Sequence, residues 1–185
     1  MSEAPRSVRA IVALSANLGD REATLESAVE ELDGTEGLHV LRVSPWFETE
    51  PVGGPPGQPD YLNGALEVET TLSARELLER MLRIEVAHGR VRAGIKDGPR
   101  TLDLDLLFYG EDRIAEPGLI VPHPRLEERT FVLEPLARLA PNRHLAGCRR
   151  SVMERLAELR IRARRSVRRP VPREAPEAGR ARGSR

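Results

Sequence analysis

Hydrophobic residues recur along the first two thirds of the chain with two different spacings, which predict strands and helices in alternation. Short runs rich in valine, isoleucine and leucine predict strands, whereas apolar positions three and four residues apart predict helices. One predicted helix begins after Asp20, a potential N-cap, and the other begins at Ser73, which has the capping-box spacing with Glu76. The predicted strands cover Val8–Ser15, Leu38–Phe47, Tyr61–Thr70 and Thr101–Tyr109.

The order of these elements is strand, helix, strand, strand, helix, strand, which is typical of a ferredoxin-like split β-α-β fold. We therefore predict an α+β protein whose antiparallel sheet carries both helices on one face and leaves the opposite face free for a site. Additional C-terminal helices are predicted over Leu126–Leu139, interrupted by Pro135, and over Ser151–Ile161. A proline- and glycine-rich loop precedes Tyr61, and a polar loop covers Gly89–Pro99.

The chain has 185 residues and 39% hydrophobic content, which suits one substantial core. Its net charge of zero is unevenly distributed, because ten arginines and only two glutamates lie between Arg160 and Arg185. That segment carries +8 and the remainder −8. We predict one domain over residues 8–161 and a basic, disordered tail over 162–185. The tail could bind nucleic acid or an acidic surface, but we expect a solvated appendage and no nucleic-acid partner.

The sequence has no pattern of export or membrane insertion. The apolar run Ala10–Leu14 is too short for a signal peptide, and no stretch approaches membrane-spanning length. The single Cys148 cannot form an internal disulfide and has no partner at metal-ligand spacing. We therefore expect a cytoplasmic protein without a membrane partner, and we expect it to be a monomer.

Two aspartates on the last predicted strand give the strongest chemical signal. Side chains two residues apart on a strand point to the same face, so Asp103 and Asp105 share one side of the sheet while the intervening Leu104 faces the other. Adjacent carboxylates repel each other, and a divalent cation is the usual compensation. Magnesium is the candidate, since it binds one or two carboxylates together with substrate phosphates. The alternative is an exposed acidic strand face.

Several arginines near this pair suggest a phosphorylated ligand. Arg90, Arg92 and Arg100 flank the strand, and Arg129 lies beyond it, so planar donors could converge on phosphate oxygens. The chain has no Gly-x-x-x-x-Gly-Lys-Ser/Thr loop, which excludes a Walker-type site. Phosphoryl transfer needs mainly in-line positioning and charge neutralisation, so metals and arginines could suffice. His123 could contact phosphate or serve as a structural residue in a rigid turn.

A second set of residues suits a flat polar heterocycle. Tyr61 offers an aromatic face, and Asn63, on the same side of the strand, offers amide donors and an acceptor. Phe131 could provide a second ring surface. Each also has a structural interpretation, with the two aromatic residues in the core and Asn63 at a strand edge.

The assembled motifs resemble those of the 6-hydroxymethyl-7,8-dihydropterin pyrophosphokinase family. The nine-residue run that contains both aspartates is highly specific, and it follows the other segments in the expected order. The similarity extends from about Ala10 to Pro141 and rests on Gln58–Asn63, Ile84–Glu85, Gly89–Arg92, Gly98–Leu106 and Val121–Pro124.

The resemblance implies a ferredoxin-like enzyme of folate biosynthesis in which the pterin hydroxyl attacks the β-phosphorus of ATP and AMP is released. It implies that Asp103 and Asp105 hold two Mg²⁺ ions. Arg90 and Arg92 are implied as catalytic residues. The implied ATP contacts are Glu85, Arg90, Arg92, Arg100, His123 and Arg129. The implied pterin contacts are Thr49, Val52, Tyr61, Asn63 and Phe131, with both loops closing over the substrates.

Some positions depart from the family pattern. The first turn reads Ser15-Ala16-Asn17 where Gly-Ser-Asn is usual, Asp97 stands where some members carry tryptophan, and Pro124 replaces an aromatic or polar residue. The proline- and glycine-rich loop is also one residue longer than in some relatives. These changes affect loop closure and substrate affinity and leave the metal ligands intact.

Two other classes of function fit parts of the sequence. A ferredoxin-like RNA-binding or ligand-sensing module would need stacking aromatics on its central strands, yet Val8–Ser15 has none. An Asp-x-Asp nucleotidyltransferase would keep the metals and arginines without requiring Tyr61, Asn63 and Phe131 to surround one pocket.

Overall fold

The computed structural model describes residues 6–90, 98–145, 147 and 149–166. Predicted features at Arg92, Asp97 and Cys148, and the tail beyond residue 166, lie outside the described residues. Within the described segments, no helix is both long and apolar enough to cross a membrane.

A five-stranded antiparallel sheet forms the centre of the fold. Its main strands lie in the order β2-β4-β1-β5, and β3 extends β2's position along β4. Strands that follow each other through a helix are thus separated by one antiparallel strand, which is the split β-α-β topology. The strands are β1 (Val8–Ala16), β2 (Leu38–Val43), β3 (Phe47–Thr49), β4 (Tyr61–Thr70) and β5 (Asp103–Tyr109).

Two helices cover one face of this sheet, as predicted. They are α1 (Arg21–Asp33), capped by the Asp20 side chain, and α2 (Ala74–Ala87), which begins with the predicted Ser73 capping box. Alternate β1 side chains such as Val12 and Leu14 pack with these helices, because successive strand residues point to opposite faces. The predicted ferredoxin-like α+β fold is confirmed.

The opposite face is only partly free. A 3₁₀ turn (Leu126–Glu128) leads into α3 (Thr130–Leu139), and α4 (Val152–Ser166) packs on α3. These elements bury Ile11 and Ala13 of β1 in a second apolar cluster. This face therefore stays open at the ends of β1, β4 and β5 near Asp103, where a cavity lies.

Four local predictions need correction. Leu38–Phe47 is divided into β2 and β3 because Pro45 has no N–H for the ladder, and the Ser44 hydroxyl instead accepts from Ala65 N at 3.0 Å. The last sheet strand begins at Asp103 rather than Thr101. The C-terminal helices also differ: α3 runs through the buried Pro135, with the break falling at Arg129, and α4 continues five residues beyond Ile161 to Ser166.

A short hairpin was not predicted. It joins β6 (Ile114–Glu116) to β7 (Leu119–Val121) through Pro117 and Gly118. Gly118 has a φ of 76°, which the turn requires and which glycine adopts without steric cost. The hairpin delivers the chain to His123, whose backbone N–H bonds to Leu107 O of β5 at 3.1 Å.

Candidate active site

Strand register places the candidate residues in transverse rows across one face of the sheet. Asn63 of β4 pairs with Ser15 of β1, and Ser15 pairs with Asp103 of β5. In the next row Ala13 pairs with Asp105. The small β1 side chains in the middle leave space between the polar residues on either side. A cavity of about 320 Å³ occupies this space, and both aspartates line it.

Asp103 is bound by two arginines. Arg90 lies 2.6 Å from its Oδ1, and Arg100 donates to its Oδ2 at 2.5 Å. The Asp103 side chain is 13% exposed, so these charges interact with little solvent screening. Burial works against the charged form of Arg100, but the charge and hydrogen bond of Asp103 outweigh it, and the pKa of Arg100 is raised.

Glu85 supports this arrangement from behind the strand. It is 1% exposed, forms an ion pair with Arg90, and accepts a hydrogen bond from Leu104 N at 2.8 Å. Glu85 does not line the cavity. Two consecutive ion pairs, Glu85–Arg90 and Arg90–Asp103, therefore connect α2 to the carboxylate on β5.

Asp105 has a looser set of partners. Arg129 NH1 and His123 Nε2 lie 3.7 and 3.9 Å from its Oδ2. Burial raises the pKa of Asp105, and the negative charge of Asp103 adds to the effect, while nearby positive groups oppose it. Burial lowers the pKa of His123, with Asp105 opposing. His123 Nδ1 accepts from Arg125 N at 3.2 Å, which leaves the proton of the neutral ring on Nε2, facing Asp105.

The five residues predicted to contact the pterin all line the same cavity: Thr49, Val52, Tyr61, Asn63 and Phe131. Strand β3 places Thr49 opposite Tyr61, and Asn63 Nδ2 donates to Thr49 Oγ1 at 2.9 Å and to Phe47 O at 3.3 Å. With its amide hydrogens used in this way, Asn63 offers its Oδ1 to a ligand. Val52 is an apolar residue at the rim of the cavity, and it is 71% exposed.

The predicted phosphate-side residues divide into three groups. Asp103, Asp105, Arg100 and Arg129 line the cavity, whereas Glu85, Arg90 and His123 lie around it without lining it. Arg92 is outside the described residues. The structure therefore brings together one set of aromatic and amide groups and one set of charged groups around a single space.

Sequence reasoning missed several lining residues: Ala13, Ser15, Glu50, Arg125, Glu128 and Thr130. The signal for Arg125, Glu128 and Thr130 was the polar run between Pro124 and Phe131, which spans the 3₁₀ turn and the first residue of α3. Ser15 could have been found from the strand period, because it lies two residues from Ala13 on the face opposite Leu14.

The carboxylates suit magnesium that arrives with a nucleotide. They share a face, they line the cavity, and each oxygen of Asp103 keeps a second lone pair beside its arginine bond. Among the described residues no cluster of three His, Cys, Asp or Glu side chains could hold a metal ion alone. Two carboxylates completed by phosphate and water oxygens match the coordination that Mg²⁺ prefers.

A ferredoxin-like sheet that combines paired carboxylates, converging arginines and an aromatic cavity defines an α+β enzyme of phosphate transfer. The family model 7,8-dihydro-6-hydroxymethylpterin-pyrophosphokinase (HPPK) matches residues 11–141. The chain belongs to this family, and the predictions of its family and of an enzymatic function are confirmed.

Several bacterial relatives carry the name 2-amino-4-hydroxy-6-hydroxymethyldihydropteridine pyrophosphokinase. The chain is 44% identical to the protein of Synechocystis sp. over 133 residues, covering 72% of this chain and 67% of the relative. It is 46% identical to that of Bacillus subtilis over 130 residues, covering 70% and 77%. The Pseudomonas aeruginosa protein is 39% identical over 158 residues, covering 80% and 96%.

Solved structures support the fold. Wild-type HPPK-DHPS of Plasmodium falciparum with pterin and p-hydroxybenzoate matches with a TM-score of 0.70 at 12% identity, over 90% of this chain and 45% of the solved chain. An HPPK-DHPS in complex with substrates matches with a TM-score of 0.68 at 11% identity, over 88% and 45%. This chain thus spans less than half the length of the solved chains, and the likeness concerns the fold.

Proposed function

We propose that this chain uses the described cavity to transfer the diphosphate of ATP to the hydroxymethyl group of 6-hydroxymethyl-7,8-dihydropterin, releasing AMP in folate biosynthesis. The family assignment supports the reaction. The main support for assigning the reaction to this cavity is that Tyr61, Asn63 and Phe131 line it together with Asp103 and Asp105.

On the pterin side, the ring would lie between the aromatic walls with its hydroxymethyl group towards the aspartates. Tyr61 and Phe131 provide apolar faces, and Asn63 Oδ1 accepts from a ring N–H or the exocyclic amine. Covering Val52 removes apolar surface from water, which favours binding. Backbone groups around Thr49 and Val52 complete the recognition.

On the phosphate side, the arginines first neutralise the carboxylates and then become available to the nucleotide. Arg100 and Arg129 line the cavity, with Arg90 and His123 close behind, so a triphosphate would meet positive charge on several sides. We assign Arg92 a similar role from its motif. Glu85 acts on the nucleotide side indirectly, because it holds Arg90 against Asp103.

The reaction forms a bond between the pterin hydroxyl oxygen and the β-phosphorus and breaks the bond from that phosphorus to the oxygen bridging it to the α-phosphate. AMP leaves with the bridging oxygen and its bonding electron pair, and the proton of the hydroxyl is released to solvent with the products. Two Mg²⁺ ions held at Asp103 and Asp105 would supply charge neutralisation for the phosphate oxygens when bound. The chain's own residues orient the two reactants in line and exclude water.

The three pterin-side residues around one pocket argue against a nucleotidyltransferase of different specificity. An RNA-binding sheet is also disfavoured, because Phe108 and Tyr109 of β5 are buried in the two cores rather than displayed for stacking. We propose further that the enzyme acts as a monomer in the cytoplasm.

The test is incubation of the purified chain with ATP, magnesium and hydroxymethyldihydropterin, with separation of the nucleotide products. AMP formed in proportion to pterin consumed is the expected result. ADP as the product, or AMP formed equally well without the pterin, would contradict the proposal.

A further inference from the structure

Asn17, directly after β1, is a buried polar residue that the proposed mechanism does not use. It is 2% exposed and does not line the cavity. Its side chain nevertheless makes two hydrogen bonds, and both partners are backbone groups far away in the sequence. Such a residue contributes through the segments that it holds together.

One set of bonds fixes Arg100. Asn17 N donates to Arg100 O at 3.1 Å, and Asn17 Oδ1 accepts from Arg100 N at 2.8 Å. Both backbone polar groups of Arg100 are therefore bound to one residue. The Arg100 guanidinium, which holds Asp103 at 2.5 Å, extends from this fixed backbone.

The remaining bond fixes the opposite wall. Asn17 Nδ2 donates to Pro59 O at 3.1 Å, and Pro59 lies two residues before Tyr61. Tyr61 itself reaches back across the gap, since its hydroxyl donates to Gly98 O at 3.1 Å. The start of β4 and the segment before β5 are thus connected twice, once through Asn17 and once through Tyr61.

We infer that Asn17 is a positioning residue that holds the pterin-side wall at Pro59–Tyr61 and the phosphate-side residue Arg100 in register across the end of β1. This inference rests on the proposed function of the cavity. Asparagine suits the position because its single amide supplies one acceptor for Arg100 N and one donor for Pro59 O. An error of about 1 Å in the placement of either wall can lower turnover about 100-fold.

Substitutions can separate the two side-chain hydrogen bonds of Asn17, one to Arg100 N and one to Pro59 O. Asn17→Asp keeps the size and the acceptor for Arg100 N but replaces the donor to Pro59 with a second acceptor. Asn17→Ala removes both side-chain hydrogen bonds. Thr70→Val is the matched control: Thr70 is 1% exposed at the far end of β4, and its hydroxyl also makes two backbone bonds, to Gly37 O at 2.8 Å and from Leu72 N at 3.0 Å.

Calorimetry would measure two dissociation constants for each variant, one for hydroxymethyldihydropterin alone and one for α,β-methylene-ATP with magnesium, together with the melting temperature. We expect Asn17→Ala to raise the dissociation constants of both ligands at least about tenfold, because the binding groups are no longer pre-organised. Asn17→Asp should weaken the pterin by a similar factor while the nucleotide stays within about threefold of wild type. Thr70→Val should lower the melting temperature comparably with both affinities within about threefold.

If Asn17→Ala binds both ligands as tightly as wild type does, the inference is overturned while the proposed function stands. The same holds if Thr70→Val loses both affinities to the same extent as Asn17→Ala. Wild-type protein that binds neither ligand would overturn the proposed function and this inference with it. If Asn17→Ala does not fold, Asn17→Asp carries the test on the pterin side, where unchanged pterin affinity would overturn the inference.

Discussion

The guanidinium of Arg100 donates a 2.5 Å hydrogen bond to the carboxylate of Asp103. A residue proposed for phosphate binding is thus paired with a residue proposed for metal binding. The pairing offsets the repulsion between adjacent carboxylates on β5. It also gives a simple order of events for the proposed reaction: a nucleotide that brings magnesium offers the carboxylates a metal and the arginines an anion at the same time.

Removing either aspartate is predicted to stop turnover with the fold intact. Asp103→Ala and Asp105→Ala should each lower kcat/KM by about 100- to 1,000-fold. The reason is that the magnesium proposed to neutralise the negative charge of the transition state would lose a ligand. AMP release and circular dichroism measure the two effects. Asp112→Ala, at an exposed position of the turn after β5, is the control with unchanged rate. Full activity in both aspartate variants would refute the metal assignment.

Magnesium is predicted to be required for transfer but not for pterin binding. The proposed pterin contacts are Tyr61, Asn63 and Phe131, whereas the two carboxylates are proposed to bind the magnesium of the nucleotide. Excess EDTA should therefore abolish AMP release, and added magnesium should restore it. The calorimetric affinity for the pterin alone should remain within about twofold in EDTA. Undiminished AMP release by metal-free enzyme would contradict the prediction.

Loss of the buried Glu85 is predicted to lower the stability of the fold. Glu85→Ala leaves Leu104 N without its acceptor and removes one partner of Arg90, and breaking a buried ion pair costs about 3–5 kcal/mol. Glu85→Gln keeps an acceptor for Leu104 N, so it should lose less, about 1–3 kcal/mol. Urea denaturation measures both values. Equal stability of Glu85→Ala and wild type would mean that this buried pair does not support the sheet edge.

The sheet was predictable because its strands carry strong local patterns. Tyr61–Thr70 was placed with both ends correct, and the shared face of Asp103 and Asp105 follows from the strand period alone. The starts of α1 and α2 followed from the caps at Asp20 and Ser73. The resemblance to the pyrophosphokinases then supplied candidate roles that the period could not give.

What escaped prediction depends on contacts between distant segments. The cover of α3 and α4 over part of the second face arises from packing that no local pattern encodes. The burial of Glu85 and the bonds of Asn17 to Pro59 and Arg100 are also long-range, and each involves a backbone partner. The β6–β7 hairpin is different, because its Pro117-Gly118 turn was readable but the flanking strands are only three residues long.

Gly64 lines the cavity, and replacing it with a larger residue is predicted to disturb both the packing of Trp46 and the cavity wall. A Cβ atom at this position would overlap the ring of Trp46, which packs against the core beneath β4. Gly64→Ala should therefore displace the ring and lower the free energy of unfolding by about 1–3 kcal/mol. Trp46 is the only tryptophan in the chain, so its fluorescence should shift to longer wavelength as the ring becomes more exposed.

The same displacement should weaken pterin binding, because Gly64 lines the cavity beside Asn63. Gly34→Ala is the control, since Gly34 lies at the end of α1 with an ordinary φ of −73° and is not among the cavity residues. It should leave both fluorescence and pterin affinity unchanged. If Gly64→Ala keeps wild-type fluorescence, stability and affinity, the prediction is wrong. β4 and the indole of Trp46 could then move apart without disturbing the site.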